Sequence, residues 1–367
     1  MRPFNIRIYA GVILFFVAFL ANAQPENMSL RYLRTEEGLS QNEVTSILQD
    51  NEGFMWFGTR CGLNRYDGYE FLVFNQVPGD SNNLVNTSVE KICKDSKGII
   101  WIGTKSNGIS RYNPVTGKFL NMPYNGRSAQ NILPDKRIIS FCEDTDGDMW
   151  IGTWNGGLLK YNPETGQGKT YNLTSNVNVI LKSSNGIVWV GTNYGLFEYD
   201  PAVDSFKQQS SSTFNNQIPC IIEDRNHQSL WILHNNESTL VKFDLKSRSS
   251  QTFRLNPAEE KEFGQFNGTT KIMQDNKGLL WIGSWGNGLF QFNPENSTFS
   301  RIALYPNLLF KSNNEFDTIL DIFQDRNNNV WIGSNGVGVC LLTEKMKFNT
   351  LGLSKDQTLN KCVMSVL

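Results

Sequence analysis

Seven positions along the chain share one local setting, each following a Gly-Thr or Gly-Ser pair, or Leu-His in a single case. They are Arg60, Lys105, Trp154, Asn193, Asn235, Trp285 and Asn335. Trp154 and Trp285 stand where a wholly polar turn would serve, and Tyr194 follows Asn193. Such rings offer flat apolar surfaces on which sugars can stack, while Asn and Arg side chains can pair with hydroxyl groups. The competing reading is plainer: the two tryptophans pack beneath neighbouring loops, and Arg60 and Lys105 are solvated turn charges.

Machinery for bond-breaking is sparse. Of the two histidines, His227 falls in a hairpin turn and His234 takes the place of a threonine in a repeated motif. Neither has a Cys, His or carboxylate at ligand spacing, so no zinc site is expected. Asp144, Asp146 and Asp148 resemble a calcium loop, but the glycine and distal glutamate of that motif do not follow in register, and a turn is the better account. No phosphate loop or G-x-S-x-G elbow occurs, and no cofactor is implied. A pair of carboxylates for polysaccharide cleavage can converge from distant segments and leave no local signature, so a lyase or glycosidase stays open. The net charge of −1 argues against nucleic acid or an acidic membrane surface as partner.

The elements that must position the seven residues are repeats. Residues 149–162, MWIGTWNGGLLKYN, have close copies opening at Trp56, Trp101, Trp189, Trp281 and Trp331, and a degenerate copy, WILHNNESTLVKFD, opening at Trp231. Tryptophan spacings of 45, 49, 39, 42, 50 and 50 residues mark a propeller or solenoid. In the third unit, residues 138–143 read as a first strand, the acidic turn 144–147 leads into a second strand at 149–153, a third follows at 158–161, and a weaker fourth lies near 169–172. The expected fold is all-β, a seven-bladed β-propeller of four-stranded antiparallel blades. Two residues before each acidic turn stand Leu48, Cys93, Cys142, Leu181, Ile222, Met273 and Phe323, as a buried strand face requires. The turn begins with Asp in six units and Ser183 in the fourth, able to bond the backbone of the turn it starts. The invariant Trp is expected as the wedge between blades. The glycine two residues on, replaced by Leu233 in the fifth unit, is expected where sheets approach closely.

Outside the repeats, Arg2 and Arg7 precede an uncharged run and then Ala21-Asn22-Ala23, which reads as a signal peptide over residues 1–23 and predicts an exported, periplasmic chain. No membrane insertion of the mature chain is expected. The propeller is assigned to residues 24–350, with a lone strand at 29–35 supplying the outer strand of the seventh blade and so closing the ring. Residues 351–367 repeat the apolar and polar order of residues 37–48 and read as the truncated start of a further blade. Cys93, Cys142 and Cys340 occupy strand positions as small hydrophobes, whereas the pattern does not determine Cys61 and Cys220. The long linkers 75–88, 121–137, 208–218, 255–268 and 301–317 join an outer strand to the next inner strand. They emerge on the same face as the turns carrying the seven residues, a common place for binding.

The recurring D-x-x-G-x-x-W-I-G-T-x-x-G-L-x-x-Y of residues 144–161 resembles the two-component regulator propeller repeat. That resemblance implies the exported sensor region of a hybrid two-component histidine kinase that commonly recognises oligosaccharides. In that family a second propeller, an immunoglobulin-like domain, a membrane helix and a kinase follow the first propeller, and homodimerisation would run through them. The resemblance fixes no ligand residues. The expected function is therefore oligosaccharide sensing, with a propeller lyase or glycosidase and a protein-interaction scaffold as alternatives.

Overall fold

The computed structural model describes residues 28–124, 132–173, 175–209, 214–235, 239–254, 268–302, 304 and 318–344. The proposed signal peptide, the residue 351–367 remnant and much of the long linkers lie outside them. Among the described residues, twenty-eight strands form seven four-stranded antiparallel sheets, one per repeat. In the third blade the strands are Ile138–Glu143, Met149–Thr153, Leu158–Tyr161 and Gly168–Tyr171, the last beginning one residue earlier than its expected position.

The N-terminal strand Met28–Leu33 pairs antiparallel with Val339–Glu344 and becomes the outer strand of the seventh blade. It stops two residues short of the expected 35, because the chain turns there through a single 3-10 turn, Thr35–Glu37, ended by Gly38 at φ +100°.

Tryptophans hold the blades to one another. Six of the seven wedge indoles, at positions 56, 101, 150, 189, 231 and 281, are 0 or 1% exposed and the seventh, Trp331, is 5% exposed. The Trp56, Trp101, Trp150, Trp189 and Trp231 rings meet the third-strand aromatics of the following blade, Tyr112, Tyr161, Tyr199, Phe243 and Phe292, at centroid distances of 5.0–6.1 Å. Trp331 closes the circle on Tyr66 of blade 1 at 6.3 Å. Burying an indole of ~150–250 Å² at ~25 cal/mol per Å² contributes at most about 4–6 kcal/mol per blade interface. The glycine two residues after six of the seven tryptophans makes the approach possible: a Cβ on Gly103 would stand 2.9 Å from Ile138 Cβ and 3.0 Å from its carbonyl oxygen, on the next inner strand.

The acidic turn does more than start a hairpin. Asp95 Oδ1 accepts the amides of Lys97 and Ile99, as the sequence suggests, and Oδ2 accepts Trp101 Nε1 at 2.8 Å. The same indole bond joins Trp56 to Asp50, Trp150 to Asp144, Trp281 to Asp275 and Trp331 to Asp325, and Ser183 Oγ replaces the carboxylate for Trp189. It requires a spacing of six residues. In the fifth blade Asp224 precedes Trp231 by seven, the hairpin takes His227 through φ +57°, and Trp231 Nε1 is buried without an acceptor. Asp224 turns instead to Lys242 Nζ at 3.2 Å and Gln274 Nε2 at 3.0 Å. The inner strand of this blade is reduced to Ile221–Glu223.

Candidate functional site

The turn between second and third strands is built by the Thr or Ser of the repeated motif. Thr153 Oγ1 donates to Gly157 O at 2.9 Å and accepts the amide of Gly156 at 3.1 Å, and the equivalent hydroxyls of Thr59, Thr104, Thr192, Ser284 and Ser334 make the same closing bond. The next residue then bonds back to its own blade at the start of the inner strand: the amides of Lys105, Trp154, Asn235, Trp285 and Asn335 donate to the carbonyls of Ser88, Arg137, Gln217, Gly268 and Thr318. The seven candidate positions therefore ring the channel mouth on one face.

Their side chains divide sharply. Trp154 is 39% exposed, Trp285 44% and Tyr194 63%, in turns where most neighbours are polar. Lys105 is exposed. Arg60 is neither free nor merely solvated: its Nε donates to Glu43 at 2.8 Å and another guanidinium nitrogen pairs with Glu90 from the next blade. Burial opposes its charge, but Glu90 and Glu43 outweigh that and push its pKa up. Glu90 is shared with Arg137, whose guanidinium lies 3.9 Å above the centre of the Trp154 ring. One face of Trp154 is thus covered by a cation, and the network Glu43–Arg60–Glu90–Arg137 was not visible in the repeat. Asn193 Oδ1 accepts from Asn178 at 3.0 Å, and Asn235 accepts from Thr269 and donates to Gln217. The geometry leaves Trp154, Tyr194, Trp285 and Lys105 as the outward groups, with Trp154 and Tyr194 on adjacent blades and Trp285 three blades from Trp154.

Elsewhere, His234 fills the position of the motif hydroxyl in blade 5. It is 2% exposed beside Phe214, its Nε2 has no partner, and burial pushes its pKa down to about 4. His227 contacts Glu223 at 3.3 Å on the exposed hairpin face, remote from the channel mouth. Lys160 Nζ bridges Asp144 and Asp148 at 3.1 and 3.3 Å, in keeping with the turn reading of that acidic run. No group of three potential metal ligands occurs among the described residues, and Cys61, Cys93, Cys142, Cys220 and Cys340 are unpaired. A cavity of about 270 Å³ between blades 6 and 7, lined in part by Met28, Asp275, Lys277, Trp281 and Glu344, contains none of the candidate residues.

Comparison with known proteins follows the repeats. The family model described as two component regulator propeller matches residues 38–60, 83–106, 132–155 and 315–336. Over 80 residues the chain is 36% identical to histidine kinase P4 of Formosa agariphila, a stretch that is 22% of this chain and 6% of that protein. The structure is similar to the extracellular domain described as that of hybrid two component system BT3049 of B. thetaiotaomicron, with TM-score 0.71, 25% identity, and coverage of 86% of this chain and 41% of that one. Virginiamycin B lyase from Staphylococcus aureus matches with TM-score 0.68 at 15% identity, over 86% of this chain and 99% of that one, a likeness of fold alone. The chain thus spans less than half the length of the two-component proteins it matches. No helix among the described residues is long and apolar enough to cross a membrane.

Proposed function

The chain carries two component regulator propeller repeats in blades 1, 2, 3 and 7, and from this premise we infer that it is the ligand-sensing propeller of a hybrid two-component sensor, working outside the cytoplasm after export. Its ligand is an oligosaccharide, and signalling and dimerisation belong to other parts of the sensor. The observation that carries the ligand reading is the ring of turns at the channel mouth: Trp285, Tyr194 and Trp154 stay 44, 63 and 39% exposed there, outside the buried wedges between blades. Aromatic faces presented to solvent suit a sugar ring, apolar on one side and hydroxylated at its edge. Trp285 is the principal platform, since Arg137 already occupies one side of Trp154.

Isothermal titration of the secreted chain with xylo-, arabino-, manno- and galacto-oligosaccharides tests this. One of these series should bind, and Trp285→Ala should weaken it at least tenfold while leaving the melting temperature unchanged, with a smaller loss for Trp154→Ala. Equal affinity of wild type and Trp285→Ala would remove the channel mouth as the site.

A further inference from the structure

Six of the seven inner strands, all but that of blade 5, carry a register shift opposite the motif glycines, which sets one residue from each at a common level of the channel. Ser46, Lys91, Ser140, Val179, Lys271 and Asp321 are these residues, paired with Gly58, Gly103, Gly152, Gly191, Gly283 and Gly333. At this level two ammonium groups reach the same carboxylate. Lys271 Nζ lies 2.9 Å from Asp321 Oδ1 and Lys91 Nζ 3.3 Å from Oδ2, although Lys91 comes from blade 2 and Asp321 from blade 7.

The carboxylate is saturated. Oδ2 also accepts Ile47 N at 2.9 Å and Ser46 Oγ at 3.2 Å, Oδ1 accepts Ile322 N at 3.1 Å, and the side chain is 3% exposed. The lysines are not. Each ammonium has three donors; both direct one at Asp321, Lys271 also contacts Lys91, and their side chains remain 28 and 26% exposed. The charge does not balance either, since one carboxylate faces two ammoniums. The nearest further acid along the strand, Glu90, is already held by Arg60 and Arg137. Burial opposes ionisation of Asp321, but Lys271 and Lys91 outweigh it and hold its pKa down; burial, with Lys271 as a like charge, pushes Lys91 down, whereas at Lys271 burial is outweighed by Asp321 and the pKa is held up.

We propose that this level of the channel is a binding site for one small oxyanion group, a carboxylate or sulfate, held between Lys91 and Lys271. Such a group supplies acceptors for the free ammonium donors and the negative charge the triad lacks, in a channel whose other residues at this level, Ser140 and Val179 among them, are uncharged. The site lies three residues, ~10 Å, below the mouth at Glu43. A free anion or the acidic end group of a saccharide entering from that face both fit it. The inference goes beyond the proposed function and does not depend on the aromatic platform.

The test is thermal denaturation of the whole secreted chain in sodium sulfate at constant ionic strength, against Lys91→Met, Lys271→Met and Asp321→Asn. Sulfate stabilises most proteins by exclusion from their surface, so the readout is the difference between wild type and variant. Wild type should gain several degrees more than Lys91→Met or Lys271→Met. Asp321→Asn, which removes the internal competitor and nearly preserves shape, should respond at several-fold lower sulfate than wild type. Galacturonate and galactose form the second arm: a Lys91-dependent shift with galacturonate identifies a sugar acid as the source, and one with sulfate alone identifies a free anion. Equal sulfate responses in wild type, Lys91→Met and Asp321→Asn, with none to galacturonate, would overturn the site. Neutral oligosaccharide binding at Trp285 is read separately, so either idea can fail without the other.

Discussion

Blade 5 provides an internal control for the bond between each wedge indole and its acidic turn. Trp101 and Trp231 are 0 and 1% exposed, and each lies under a basic third-strand side chain, Arg111 at 4.5 Å and Lys242 at 5.0 Å from the ring centre. They differ in the indole N–H: Trp101 donates to Asp95 at 2.8 Å, and Trp231 has no acceptor. Replacement by Phe removes similar apolar area at both sites, so packing losses largely cancel in the comparison. Trp101→Phe also loses a hydrogen bond to a carboxylate, worth ~1.5–3 kcal/mol, whereas Trp231→Phe removes a buried donor whose unmet burial costs ~1–3 kcal/mol. Trp101→Phe should therefore destabilise by about 2.5–6 kcal/mol more than Trp231→Phe. Urea unfolding followed by far-ultraviolet circular dichroism, with unchanged slope, measures this directly. Two variants that agree within about 0.5 kcal/mol would show that the indole bond contributes nothing to holding the ring, and the explanation offered for the six-residue spacing would be wrong.

Three further outcomes follow from the same geometry. Gly103→Ala places a methyl 2.9 Å from Ile138 Cβ and should cost about 1–3 kcal/mol through forced separation of blades 2 and 3, read as a lower urea midpoint. His234 is neutral when folded, with a pKa of about 4 against an unfolded value near 6.5, so its contribution is intact above pH 6.5 and is lost as pH falls toward 4. The full loss is about 3 kcal/mol, and in His234→Phe stability should fall less steeply across that window; parallel profiles would refute the assignment. Removal of residues 28–33 uncovers the edge of Val339–Glu344, with Cys340 and Leu342 otherwise buried. The shortened chain should self-associate in light scattering, and a stable monomer would contradict ring closure by that strand.

Much of the architecture was legible because every blade repeats the same packing problem. Trp, Gly and the apolar residue two before the turn recur for reasons that act within forty to fifty residues, and the inner three strands of blade 3 fall where the motif puts them. The Asp–indole bond was hidden because an Asp that starts a turn already has a sufficient local role. The spacing of seven between Asp224 and Trp231 was its one visible trace. At the channel mouth, the exposure of Trp154, Tyr194 and Trp285 could be anticipated from their place in a turn. The engagement of Arg60 could not, since Glu90 lies thirty residues on and reaches it only once blades 1 and 2 pack. The meeting of Lys91 with Asp321, 230 positions apart, is further still from local pattern.

The closing ladder also determines how the molecule answers to force. Met28 pairs with Glu344 at one end and Leu33 with Val339 at the other, so the chain enters and leaves the ring at the same end of the ladder. Traction between the two exits peels the pairs apart one after another, as a zipper opens, instead of shearing all six together. The seventh blade is therefore the mechanical fuse of the ring: it parts at low load while the other six sheets, whose strands are joined by short hairpins, keep their shape.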